Sequence, residues 1–187
     1  MLKLQRMPAM TRNRLRRFAT ALIVAAGVVL VDQGSKILAV SELSQHRRIP
    51  LLGDLLGLQL AFNPGAIFSL GSSATGLITV IGVAATALLF VAAARTRNRG
   101  SAIGIGFIFG GAVGNLIDRL FAPPAFGRGH VTDFLAYADL FIGNLADVAL
   151  AIGAVLLVVG SLRGNDRRTT QPGPTVVGRP TVEETVS

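Results

Sequence analysis

The chain has 187 residues, 51% of them hydrophobic and 15% charged, with a mean hydropathy of +0.58 and a formal net charge of +8. This is the composition of a small integral membrane protein, and with a single Tyr and no Trp the basic excess lacks the aromatic interleaving of a nucleic-acid surface. The absence of cysteine excludes disulfides, thiolate nucleophiles, cysteine-held metals and a lipid on this chain's own cysteine, and His46 and His130 are too far apart for an H-E-x-x-H zinc site.

A helix that crosses the hydrocarbon core needs about 20 residues at 1.5 Å each. The first apolar run, about residues 18–40, offers only fourteen uncharged residues from Phe18 to Val31. That is roughly 21 Å of helix, so Asp32 and Lys36 lie within or at the edge of the membrane. Residues 41–74 are apolar but broken by Pro50, Gly53, Gly57 and Pro64. Within them Leu58, Leu60 and Phe62 alternate with Gln59 and Ala61, the period of a half-buried strand, which predicts a small sheet on the outer membrane surface. The "NPG" that follows reads as a turn holding Asn63 over the helix ends.

The second run, 75–94, carries no charge, while the third, 100–120, stays apolar until Asp118 and Arg119. Gly106, Gly110 and Gly114 recur every fourth residue along it, forming a smooth ridge against which a neighbouring helix can pack. The fourth run, 144–162, opens with Asn144 and Asp147. Residues 1–162 thus read as one membrane-embedded unit of four helices with an extracytoplasmic sheet segment, all-α in its membrane part. Residues 163–187, rich in Thr, Pro, Gly and Arg, read as a disordered cytoplasmic tail.

Basic residues flanking the spans set the orientation. Thirteen Lys and Arg fall in 1–17, in the "RTRNR" hairpin and after the fourth span; five fall on the other side, together with seven of the ten acidic residues. Both termini are therefore expected in the cytoplasm, with Asp32, Lys36, Asn63, Asn115, Asp118, Arg119, Asp133, Asn144 and Asp147 at or beyond the outer boundary.

Each has a purely structural reading. Asp32 and Lys36 are four apart, enough for a helix-end ion pair; Asn144 and Asp147 fit an N-cap and a first-turn acid. Asp118 and Arg119 read as an interfacial salt bridge, and Asp133 as a loop carboxylate. Ionisable groups at membrane depth are costly, however, and so many on one side point to a site.

In order, "DQGSK" (Asp32 to Lys36), "NPGAIFS" (Asn63 to Ser69), "GGAVGNLIDR" (Gly110 to Arg119), "HVTDF" (His130 to Phe134) and "NLAD" (Asn144 to Asp147) resemble the blocks of the bacterial lipoprotein signal peptidases, or signal peptidase II. Pro64, Ile67, Thr132 and Gly143 depart from the family's usual residues. The resemblance implies an inner-membrane aspartic endopeptidase that needs no metal or cofactor. Its site would lie at the extracytoplasmic face, cleaving diacylglyceryl-modified prolipoproteins just before the lipidated cysteine. It assigns Asp133 and Asp147 as the catalytic pair. Asn115, Arg119 and Asn144 would orient the pair or hold the substrate, and Asp32, Lys36 and Asn63 would form the polar shell. Asp118 is then structural, paired with Arg119 or another cation. The implied partners are lipid-modified prolipoproteins and membrane phospholipid, with no nucleic acid.

Two other classes compete: a small polytopic transporter or channel subunit whose charges line an ion path, and a Ser/Lys protease using Ser35 or Ser69 with Lys36. The first lacks internal repeats and midplane charges in the second span. For the second, Ser35 is adjacent to Lys36 and so points elsewhere on the helix, and no motif supports Ser69.

Overall fold

The computed structural model describes residues 9–65 and 74–169. Eight elements follow one another: α1 (Ala9–Glu42), β1 (Ile49–Leu52), β2 (Leu56–Asn63), α2 (Thr75–Arg95), α3 (Arg99–Phe121), β3 (Val131–Tyr137), β4 (Phe141–Gly143) and α4 (Leu145–Thr169). All four helices are long and apolar enough to cross a membrane. Leu30, Val31, Ile37, Leu77, Val80, Leu88 and Val158 remain exposed along them, the outward face of a bundle whose solvent is lipid.

Two helix lengths differ from the sequence expectation. The first helix begins at Ala9 rather than near residue 18, because a helix can continue past the apolar stretch as a polar, Arg-rich extension. The fourth reaches Thr169 rather than 162, into the stretch read as tail; residues 170–187 lie outside the described residues.

α3 is the central helix and packs against α1, α2 and α4. Small residues permit this. A Cβ added at Gly106 would lie 2.7 Å from the Ala21 carbonyl oxygen, and one at Gly110 would lie 2.7 Å from Val28 Cβ, so the expected ridge faces α1. A second small-residue face, which the regular spacing does not announce, meets α4: a Cβ at Gly111 would lie 2.6 Å from the Ala146 carbonyl oxygen.

The sheet is a four-stranded antiparallel meander in the order β1-β2-β3-β4. β1 and β2 come from the segment where strand periodicity is visible. β3 and β4 do not, since β3 is buried at its first four positions and shows no alternation to read. Asp133, expected in a loop, therefore stands on a strand, with Ala61 of β2 directly opposite. Leu60 and Phe134 pack on Ala39 of α1, seating the sheet on the bundle.

Candidate active site

The start of α4 carries the centre of the site. Asn144 N-caps the helix: its Oδ1 accepts from the Asp147 backbone N–H at 3.1 Å, and Asp147 Oδ2 accepts from the Asn144 backbone N–H at 3.2 Å. This reciprocal arrangement satisfies two N–H groups and pins the Asp147 carboxylate. The capping reading of this pair is thus structurally correct, and it leaves two functional atoms free. Asn144 Nδ2 donates to Asp133 Oδ1 at 2.6 Å, and Asp147 Oδ1 accepts from Asn115 Nδ2 at 3.0 Å. One asparagine therefore holds carboxylates from a strand and a helix fourteen residues apart in sequence. The backbone beside them is tight, since a Cβ at Gly143 would lie 2.9 Å from Asp147 Oδ2.

Asn63 completes the Asp133 environment. It lies two residues beyond Ala61, on the same face of the sheet as Asp133, and its Nδ2 donates to Asp133 Oδ2 at 3.1 Å. Its Oδ1 accepts from the Gly65 N–H at 2.8 Å, and Gly65 adopts a positive φ of 98°, so the expected "NPG" turn is an Asx turn closed by glycine. Asp133 is only 2% exposed, and this burial pushes its carboxyl up to about 6. The amide hydrogen bonds from Asn144 and Asn63 oppose that rise and the nearby Asp147 charge adds to it.

Behind the pair lies a buried ionic network. Lys36 Nζ sits 2.8 Å from Asp32 Oδ2, 3.0 Å from Asp118 Oδ2 and 3.0 Å from Asn115 Oδ1. The ammonium thus spends all three protons on α1 and α3. Asp32 Oδ1 accepts from the Ala146 N–H at 2.9 Å, so this carboxylate also satisfies the first turn of α4. Asp118 Oδ2 accepts from the Thr132 N–H at 3.0 Å, tying α3 to β3. Among the described residues the cation that pairs with Asp118 is Lys36 and not its neighbour Arg119.

Sequence reasoning overlooked Gln33. Its Nε2 reaches Asp32 Oδ2, Asp118 Oδ1 and the Gly114 carbonyl oxygen at 3.1–3.2 Å. The available signal was an uncharged polar side chain one residue from Asp32 at the end of an apolar run. Arg119 makes no hydrogen bond to Asp133 or Asp147, and its Nη1, close under Gly65, is buried without a hydrogen-bond partner among the described residues. Ser35 donates to the Asp32 carbonyl oxygen at 2.7 Å rather than to Lys36, and Ser69 and Ile67 lie outside the described residues.

With this geometry in view, the likenesses to other proteins are informative. The family described as Signal peptidase (SPase) II matches residues 23–163, a span that contains every site residue named above. The lipoprotein signal peptidase of Leifsonia xyli subsp. xyli is 41% identical over 86% of this chain and 75% of its own length. That of Mycobacterium avium is 40% identical over 81% and 83%. A solved structure described as a bacterial membrane enzyme superposes with a TM-score of 0.60 at 27% identity, covering 78% of this chain and 94% of that one. A family match across most of the chain, relatives at this identity and a shared fold agree with one another: the chain belongs to the signal peptidase II family of membrane proteases.

Proposed function

We propose that this protein is an aspartic endopeptidase that removes the signal peptide from diacylglyceryl-modified prolipoproteins, cleaving just before the lipidated cysteine. The observation that carries the aspartic mechanism is the shared asparagine: Asn144 bonds Asp133 through its side chain and Asp147 through its backbone; the substrate class is supported by the relatives named lipoprotein signal peptidase. The Asp147 charge adds to the burial that raises the Asp133 carboxyl, which favours a proton on Asp133.

Their environments give the two acids different tasks. Asp133 is buried and shifted up, which suits the group that holds the proton. Asp147 is half-buried and accepts two N–H groups, from Asn115 and from the Asn144 backbone, which suits a charged base. In the reaction Asp147 takes a proton from water as its oxygen attacks the scissile carbonyl, and Asp133 gives its proton to the carbonyl oxygen. The tetrahedral diol then collapses: the C–N bond breaks, the proton gained by Asp147 passes to the departing amine, and Asp133 recovers a proton from the diol. Seating a lipidated substrate excludes bulk water around the pair, leaving the attacking water, and strengthens these interactions.

The basic-residue distribution supports an orientation with both termini in the cytoplasm and the pair at the extracytoplasmic face of the inner membrane. The deciding experiment is cleavage of a lipidated prolipoprotein by purified protein in detergent, with chelator present, comparing wild type with Asp133→Asn and Asp147→Asn at equal folded amounts. Both substitutions are expected to lower the rate by about a thousandfold or more. Near-normal cleavage by either one removes that residue from the dyad.

A further inference from the structure

At the opposite end of the bundle from Asp133 and Asp147, the Arg-rich start of α1 meets the short connection between α2 and α3. A polar pocket of about 300 Å³ opens there, lined by Asn13, Arg16, Arg17, Arg97, Asn98 and Arg99. Its size lies at the lower end of the range of ligand pockets, about 300–1,000 Å³.

Arg16, Arg97 and Arg99 are exposed and Arg17 is half-buried, so water screens part of their mutual repulsion and an anion seated among the four would relieve the rest. Among the described residues no carboxylate lines the pocket and none of these four arginines forms an ion pair; the ion pairs found join Lys36 to Asp32 and Asp118, and Arg48 to Asp139, at the other end of the bundle. One of the four is held by a backbone contact, and Arg14 beside the pocket makes another. Arg17 Nε donates to the Thr96 carbonyl oxygen at 3.3 Å and Arg14 Nε donates to the Ala94 carbonyl oxygen at 3.0 Å, docking α1 on the end of α2. Asn98 caps α3 by accepting from the Ser101 N–H at 2.7 Å, so the positive end of the α3 dipole also faces this region.

We infer that this pocket binds the phosphodiester headgroup of an anionic phospholipid. The chemistry is that of a phosphate monoanion cradled by planar guanidinium forks. A lipid rather than a free phosphate is favoured by position, because the pocket lies where the apolar spans of α1, α2 and α3 give way to their charged ends, the depth of a headgroup. Beyond setting topology, these arginines would then make lipid composition a determinant of how α1 is held to the α2–α3 connection. The inference is independent of the peptidase reading.

The test is native mass spectrometry of the full chain, released from nanodiscs containing phosphatidylglycerol and phosphatidylcholine in equal amounts. Wild type is expected to retain one phosphatidylglycerol in preference to phosphatidylcholine. The triple substitution Arg16→Gln, Arg97→Gln, Arg99→Gln spares Arg17 and its docking bond, and is expected to lower that retention at least tenfold. The corresponding triple Lys variant should retain an intermediate amount, since charge persists without the fork. Unchanged thermal unfolding midpoints of both variants in detergent would show that the fold is intact. Equal retention of the two lipids by wild type, or unchanged retention by the Gln variant, would overturn the inference. So would displacement of the lipid by millimolar inorganic phosphate, which would mark a free-anion site.

Discussion

Lys36 Nζ lies 3.0 Å from Asn115 Oδ1, and Asn115 Nδ2 in turn lies 3.0 Å from Asp147 Oδ1. Asn115 Oδ1 also accepts from Asn144 Nδ2, at 3.1 Å, so two donors converge on one oxygen and the amide has a single tolerable orientation. A flip would set NH₂ against an ammonium. The ion pair on α1 therefore reaches the proposed base without touching it, which makes Lys36 a positioning residue.

Lys36→Met should accordingly act on stability and on rate together. It leaves Asp32 and Asp118 buried without their cation, at a cost of about 3–5 kcal/mol. Adding Asp118→Asn to the same chain removes one uncompensated charge and should recover part of the thermal stability in detergent. Cleavage should recover less, because Asn115 stays unanchored. Full recovery of both would mean that Lys36 has only a structural role.

Asp133 gives the sharpest pH signature. Its carboxyl is raised from 3.8 to about 6, so between those values the folded state binds more protons than the unfolded chain, and this group lowers stability as pH rises through that window. Raising the carboxyl that far is worth about 3 kcal/mol, and an Asn in its place loses about 1 kcal/mol from a mismatched contact with Asn63. Asp133→Asn is thus expected to be more stable than wild type by about 2 kcal/mol at pH 8, with the advantage gone below pH 4. Thermal unfolding at the two pH values decides it, and an advantage that grows in acid would contradict the assignment.

Removing an amide donor should move the same group. Asn63 Nδ2 holds the Asp133 pKa down, so Asn63→Ala should push it above its present value of about 6. If the protonated Asp133 is the acid, the alkaline limb of kcat/KM moves to higher pH while the maximal rate falls. A limb that stays fixed or moves down would place the proton elsewhere.

Close packing makes a further contrast. A Cβ at Gly114 would lie 2.5 Å from Asp32 Oδ2, pressing that carboxylate off Lys36 and off the Ala146 N–H, so Gly114→Ala should cost about 2–4 kcal/mol. Gly160 lies in α4 with nothing within 4 Å of its would-be Cβ, and Gly160→Ala should gain about 0.5–1 kcal/mol from helix propensity alone. Equal effects at the two positions would show that α1 and α3 are less closely packed at Asp32 than the structure has them.

Short-range chemistry is legible in the order of the residues. Apolar run length defined four spans, alternation revealed β2, and the spacing of Asn144 and Asp147 matched a helix start that the structure realises as a reciprocal cap. That order also grouped the polar residues at one end of the spans. Their partners come from the packing of the helices and the sheet. Asp118 pairs with Lys36, 82 positions away, rather than with adjacent Arg119, because consecutive helical residues point about 100° apart while packed helices bring distant ones into register. Asp133 belongs to a strand whose burial leaves no period to detect, and Gln33 acquires its role only once α3 lies against α1. These contacts depend on which faces of α1, α3 and α4 meet, and local pattern does not carry that information.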